Sequence, residues 1–415
     1  MATERLQSIL SHVAPNASPI DRITQKRADD VVITLALRTP LCKAKKGGFK
    51  DTPLDALLFR LLEQVVKKSN VDPQQFGDIC LGNVRDGTAV YHLRASSLAA
   101  GFPVTTAAST TNRFCSSSLT ATQHIANEVA SGLIDVGVAV GAETLSFGNV
   151  RLNRPFVDEV RNANQSALDC EQPMGQTSET VGTEFNITRE MQDHYAVESY
   201  RRAELAQKSG WFDDEIVPVT VKVKGKDGTE TEKTITKDEI RYGTTYESIS
   251  KLPPSFAEFG DKSHAGNSSQ VTDGAAAIVL MKRSKALELR QPILGKYVGT
   301  AIAGLEPRIM GIGPVFAIPK LLSNHNLSIN DIDVIEINEA FASMAVYCRD
   351  RLGIEWEKLN PRGGAIALGH PFGMTGVRQI VCGLSECRRR KAKILVTSMC
   401  MGTGMGMAGL FVSEQ

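Results

Sequence analysis

The chain has 415 residues, 42% of them hydrophobic, and its 47 basic side chains nearly balance 46 acidic ones, so it is long and apolar enough for two or three domains. A formal charge of +1 leaves no electrostatic footprint for nucleic acid and no polybasic membrane patch. No apolar run approaches the roughly 18–20 residues of a membrane-spanning helix and no secretory-type leader opens the chain, so the expectation is small-molecule chemistry inside a cell.

In chain order, residues 1–29 are polar and mixed in charge. The first strand signal is "DVVITLAL" from Asp30, a β-branched run that reads as a buried strand, and it opens a first core half expected over 30–146. Within it, "NRFCSSSLTA" sets one cysteine and three serines before an amphipathic helix. From 147 to 262 the texture changes to charged helical segments such as "TREMQDHYAVESYRRAELAQKSG". There follows "IVPVTVKVKGKDGTETEKTITKDEI", which alternates on both sides of Lys226-Asp227-Gly228 and predicts a hairpin. This stretch reads as an inserted loop domain, with the first half completed over about 263–290 and a second half over 291–415.

The two halves match each other. "VDPQQFGDICLG" from Val71 aligns without gaps on "LSINDIDVIEIN" from Leu327, and "CSSSLTATQHI" from Cys115 lies on "HPFGMTGVRQI" from His370. The strands "DVGVAVGAE" and "AKILVTSMC" follow in parallel, and "DGAAAIVLMKR" from Asp273 matches "GMGMAGLFVSE" from Gly404. Several matches in one order predict a duplicated α/β domain. Cys115 and His370 then stand at equivalent helix starts, which a pseudo-dyad brings close. A helix N-terminus carries partial positive charge, so a thiol there is expected to have a lowered pKa, whereas a serine gains far less. Cys115 is therefore the expected nucleophile, and the serines are expected to cap the helix. Eight cysteines without a CxxC pair predict reduced thiols, and with the histidines they never cluster at metal-ligand spacing, so no metal is expected.

Taken singly, each of these motifs has a structural reading. Together, "NRFCSSSL", "INEAFA" at 337–342, "NPRGGAIALGHPFGMTG" at 360–376 and "SMCMGTGMG" at 398–406 resemble the four active-site blocks of the thiolases, in family order, within a likeness running from about Asp30 to the C-terminus. The resemblance implies duplicated mixed-sheet domains layered α-β-α-β-α with an inserted loop domain. It makes Cys115 the acyl-accepting nucleophile and Cys400 a second, proton-exchanging thiol. His370 would activate Cys115, Asn338 would fix a water at the thioester oxygen, and the backbone N–H groups of Cys115 and Gly402 would form an oxyanion hole. It also implies coenzyme A as a substrate, no tightly bound cofactor and a homodimer.

Within the family the blocks are most similar to the degradative peroxisomal 3-ketoacyl-CoA thiolases (acetyl-CoA acyltransferases). These cleave 3-ketoacyl-CoA with CoA to acetyl-CoA and a shortened acyl-CoA, the last step of β-oxidation. Pro173 before Met174 resembles the broad-range degradative enzymes, and Met174, Ser269 and Arg241 fall where substrate and CoA contacts are made. "RLQSILSHV" from Arg5 to Val13 resembles a type 2 peroxisomal targeting signal, read by an import receptor, so 1–29 is expected to be a targeting segment. The alternatives are an acetoacetyl-CoA-forming biosynthetic thiolase and a weakly active acyl-CoA-binding relative. Three positions depart from the family pattern: Ser118 stands in place of glycine, Phe114 in place of glutamine, and His264 in place of threonine. Ser118 either narrows the space around the nucleophile or turns its hydroxyl to a local carbonyl.

Overall fold

The computed structural model describes residues 17–148, 156–225 and 228–415. The segment Arg5–Val13 lies outside them, as do Lys226 and Asp227 at the expected hairpin tip. The first half contributes strand β1 (Val31–Arg38), helix α1 (Leu54–Ser69), β2 (Phe76–Gly82), α2 (Ala89–Ala99), β3 (Ala107–Thr111), α3 (Ser117–Ser131) and β4 (Val136–Glu143). Next come α4 (Met174–Glu184), α5 (Arg189–Lys208) and a hairpin of β5 (Val219–Lys224) with β6 (Glu230–Ile235). The chain then returns to the sheet in β7 (Thr272–Lys282). The second half contributes β8 (Gly295–Gly304), α6 (Gly313–Asn324), β9 (Val334–Ile337), α7 (Ala342–Leu352), α8 (Thr375–Arg390), β10 (Ile394–Met401) and β11 (Met405–Ser413), with shorter helical turns between them.

The strand order β9-β10-β11-β8-β1-β7-β4-β2-β3 contains the duplication. In the first half β1 and β4 flank β7 antiparallel, and β2 lies parallel to both β4 and β3. In the second half β8 and β10 flank β11 antiparallel, and β9 runs parallel to β10. The counterpart of β3 is reduced to a single parallel bridge between Ile335 and Leu359. The halves meet edge to edge where Val32 and Ile33 of β1 pair with Lys296 and Gly295 of β8.

Burial periodicity explains the layers. In α1 the residues Leu54, Leu57, Leu58, Leu61, Leu62 and Val65 recur at helical spacing and are all buried against one sheet face, each leucine contributing about 1.5–3 kcal/mol. Helices α3 and α8 pack against each other between the halves, and Leu119, Ile125, Val377 and Ile380 join Ile278, Val396 and Leu410 of the strands in one core cluster. Their N-terminal ends approach closely: a Cβ on Gly376 would fall 2.5 Å from Leu119 N, and one on Gly141 of β4 would fall 2.6 Å from Ser118 Cβ. Glycine at these two positions lets the helix ends meet.

A buried ionic network ties the halves to the intervening chain. Arg38 Nε donates to Glu215 at 2.8 Å, and its Nη1 and Nη2 donate to Asp238 at 2.7 and 2.8 Å. Arg362 reaches Glu215 at 3.2 Å and Glu386 at 2.7 Å.

Candidate active site

Cys115 leaves β3 through a tight turn rather than from the helix itself. Phe114, just before it, holds a φ of +48°, a region that non-glycine residues seldom occupy and that marks stored strain. The turn is braced locally: Phe114 N donates to Asn112 Oδ1 at 2.9 Å, and Ser117 Oγ accepts from Arg113 N at 3.0 Å while donating to Phe114 O at 2.6 Å. The thiol opens into an apolar pocket of about 230 Å³ lined by Val84, Phe114, Phe156, Cys170, Met174, Phe372, Gly402 and Thr403. Thr403 is a second non-glycine residue with positive φ, +68°, so strained backbone borders the pocket on two sides. A Cβ on Gly402 would meet the Phe114 ring at 3.7 Å and Met174 Sδ at 3.9 Å, projecting into the pocket.

The other expected side chains, of His370, Asn338 and Cys400, are not among the pocket's lining. His370 precedes α8, and its Nε2 stands 3.3 Å from Asn338 Nδ2. Its Nδ1 lies 2.6 Å from Thr375 Oγ1. With Asn338 Nδ2 donating, Nε2 carries the lone pair and Nδ1 the proton. Burial, helped by Arg378, pushes the imidazole down to about 3, so it is neutral at physiological pH, with Nε2 as its one acceptor. Asn338 is fully buried and its Oδ1 has no hydrogen-bond partner among the described residues. Cys400 is buried on β10 with Sγ 3.6 Å from Met344 Sδ. Burial raises its thiol well above the ordinary value, and the neighbouring Cys115 thiol adds to the rise.

Two expectations fail. The Cys115 thiol is not lowered: burial pushes it up to about 12, and Glu143 acts in the same direction. The helix begins only at Ser117, and the apolar pocket removes more hydration than a helix end two residues away replaces. The serines do not cap α3 either. Ser116 at its N-cap makes no capping bond; its hydroxyl turns back to Arg113 O at 3.2 Å. Ser118 Oγ instead accepts the N–H of Val377, in the first turn of α8, at 3.0 Å. It neither lines the pocket nor turns to a local carbonyl as acceptor; it joins the two central helices.

The residues expected to touch CoA are more dispersed. Met174 opens α4 and lines the pocket beside Cys115. Ser269 lies outside the pocket lining and donates its N–H to Ala340 O at 3.0 Å. Arg241 is exposed and also outside the lining.

Sequence reasoning passed over Thr375, although it stands opposite Thr120 in the internal repeat, and Phe372, which sits inside the quoted "HPFG". It also passed over Glu143, whose carboxylate accepts the N–H groups of Val84, Arg85 and Gly373 at 2.9–3.0 Å and so ties the Cys115 half to the turn after His370. Burial raises that carboxyl to about 7. Phe156 and Cys170 reach the pocket from a remote stretch, and no local signal marks them.

The Cys115 thiol thus lines an apolar cleft, while the neutral His370 imidazole and the buried Cys400 thiol lie outside that lining, His370 packing edge-on against Phe372 of the cleft wall at 5.2 Å between ring centroids. Sequence comparison matches the family description "Thiolase, N-terminal domain" over residues 31–284 and "Thiolase, C-terminal domain" over residues 291–413. The "3-ketoacyl-CoA thiolase, peroxisomal" of Yarrowia lipolytica is 47% identical, over 99% of this chain and 100% of the relative. The crystal structure of the dimeric peroxisomal thiolase of Saccharomyces cerevisiae superposes with a TM-score of 0.88 at 42% identity, covering 95% of this chain and 100% of that one. A second structure of the yeast peroxisomal 3-ketoacyl-CoA thiolase has a TM-score of 0.77 at 38% identity, covering 94% of this chain and 100% of that one, and is described as five α-β-α-β-α layers built from two core domains of identical topology.

Proposed function

Since this chain belongs to the thiolase family, we propose that it cleaves 3-ketoacyl-CoA with CoA, the final step of β-oxidation, through an acyl group carried on Cys115. The observation that carries the reading is the pairing of Asn338 Nδ2 with His370 Nε2 at 3.3 Å, with the His370 ring against Phe372 of a pocket lined by both Cys115 and Gly402.

The raised thiol sets the order of events. Cys115 rests protonated, so its proton passes to the neutral His370 as sulfur attacks the 3-keto carbon. The oxyanion that forms is met by the N–H groups of Cys115 and Gly402, each such donor supplying about 3–4 kcal/mol to the transition state. The bond between C2 and C3 then breaks. Its electron pair leaves as the enolate of acetyl-CoA, which takes a proton from Cys400, a group that its burial keeps as a thiol. A second CoA thiol attacks the acyl-Cys115 thioester and gives its proton to the Cys400 thiolate; the Cys115 sulfur leaves and takes its proton back from His370, so the shortened acyl-CoA is released and both cysteines and the neutral imidazole are restored. Asn338 holds His370 through Nδ2 and turns Oδ1 toward a water or the substrate.

CoA is thus a substrate, and the side chains named carry every step of this scheme. Ser269 and Arg241 are assigned to the pantetheine and adenine ends of CoA. Residues 1–29 are assigned as the targeting extension, 30–146 with about 263–290 as one core half, 147–262 as the inserted domain and 291–415 as the other half. A homodimer fits the dimeric state of the yeast relative. The compartment is the peroxisome, in keeping with relatives named for it, and Arg5–Val13 is assigned as the signal for the import receptor. Thiolysis assayed across a series of 3-ketoacyl-CoA chain lengths tests the reading: turnover of medium and long chains supports it, and turnover of acetoacetyl-CoA alone contradicts it.

A further inference from the structure

A second buried histidine lies outside the reaction scheme but underneath it. His264 is completely buried and belongs to the segment Ser263–Gln270 that leads into β7. Its Nε2 lies 2.7 Å from Asp193 Oδ1 on α5, and its Nδ1 accepts the Gly266 N–H at 3.0 Å. Because Nδ1 accepts, the proton sits on Nε2 and is donated to the carboxylate. The same Asp193 oxygen accepts Asn267 Nδ2 at 2.9 Å, and Asn267 Oδ1 accepts the His264 N–H at 2.8 Å. Asp193, His264 and Asn267 therefore form a closed knot in which each side chain fixes another, within a core that admits no free rotation.

The far side of this segment holds the residues of the proposed reaction. Asn267 O accepts the N–H of Ala342, Ser269 N donates to Ala340 O, and Ser268 bridges Phe341. Those three residues directly follow Asn338 and Glu339. Gln270 O accepts the N–H of His370 at 2.9 Å, and Gln270 N donates to Ala365 O at 3.1 Å. The segment is thus the common backing of the Asn338 strand end and of the His370 backbone, whose side chains meet at 3.3 Å.

We propose that His264, with Asp193, is a positioning residue for catalysis: it locks Ser263–Gln270 to α5, and through that segment sets the separation and aim of Asn338 and His370. It touches neither substrate nor reacting atoms. The inference rests on the thiolase reading for its activity assay, but not for its second readout.

Three variants of the full chain separate the two ring nitrogens. His264→Asn places an acceptor near the Nδ1 position without reaching Asp193, His264→Gln reaches Asp193 without serving Gly266, and His264→Leu does neither. Each is assayed for kcat and KM in thiolysis, for the rate at which iodoacetamide alkylates Cys115, and for thermal unfolding. His264→Leu is expected to lose at least about tenfold in kcat, since ångström-scale misplacement of a catalytic group costs up to about a hundredfold, with KM for the ketoacyl substrate nearly unchanged. Its Cys115 alkylation should slow toward that of a His370→Ala control, and the Asn and Gln variants should recover part of both rates. Parental kcat and alkylation in all three variants, with only the unfolding temperature lowered, would overturn the proposal and leave His264 a stability residue. If the parent shows no thiolysis, the functional reading fails, and the alkylation series still decides the positioning role.

Discussion

Ser118→Ala is a direct test of how the two central helices are joined. Val377 is the third residue of α8, so its N–H is among the first-turn donors that no intrahelical carbonyl can satisfy. Ser118 Oγ supplies the acceptor at 3.0 Å from a fully buried position. Alanine keeps the packing against Gly141 and Gly376 but removes the acceptor, and an orphaned buried N–H costs about 1–3 kcal/mol. Glycine loses the same bond and adds roughly 0.5–1 kcal/mol for its freedom in a helix. Urea unfolding followed by circular dichroism should place both variants below the parent, glycine lowest, and amide hydrogen exchange should speed at Val377. Because Ser118 does not line the Cys115 pocket, KM for the ketoacyl substrate should stay near the parental value. A fully stable Ser118→Ala with unchanged exchange would refute the capping role. A Ser118→Gly variant that gained about tenfold in kcat/KM, a transition-state gain near 1.4 kcal/mol, would show that the hydroxyl obstructs the nucleophile after all.

Glu143 carries a pH dependence of defined sign. Burial raises its folded value to about 7 from an ordinary 4.5, so its contribution is complete below about pH 4.5 and is lost as pH rises through 7, on the order of 3 kcal/mol. Unfolding measured at pH 5 and pH 8 should show this loss in the parent and not in Glu143→Gln. Arg362→Leu strips Glu215 and Glu386 of a buried partner; broken buried pairs cost about 3–5 kcal/mol, and a clearly lower urea midpoint is expected. Asn338→Ala should lower kcat by about a hundredfold or more, with slower acylation of Cys115 in rapid-quench mass spectrometry.

The sequence was most informative where local pattern and duplication coincide. Leucine spacing in α1 marks a buried face, and the match of "CSSSLTATQHI" to "HPFGMTGVRQI" marks the two central helices before any geometry is known. Asn338, His370 and Cys400 are legible because each sits inside a short block that resembles the family. What stayed hidden depends on contacts between distant residues. The acceptor for Val377 is 259 positions away at Ser118, so nothing in "CSSSL" distinguishes it from a local cap. The raised Cys115 thiol follows from phenylalanines at 114, 156 and 372 converging on it, while helix-end reasoning saw only the neighbouring turn. Asp193 and His264 likewise meet across 71 positions, and taken separately each reads as an ordinary residue.

The central claim is that Cys115 carries the acyl group and Cys400 moves the proton, and the two steps separate in one experiment. The parent, Cys115→Ser and Cys400→Ser are incubated with acetyl-CoA, peptide-mapped by mass spectrometry, and assayed for 3-ketoacyl-CoA cleavage. The account predicts an acetyl group on Cys115 in the parent and in Cys400→Ser, none in Cys115→Ser, and cleavage in the parent alone. An adduct on Ser116, Ser117 or Ser118, or a Cys400→Ser variant cleaving at close to the parental rate, would contradict it.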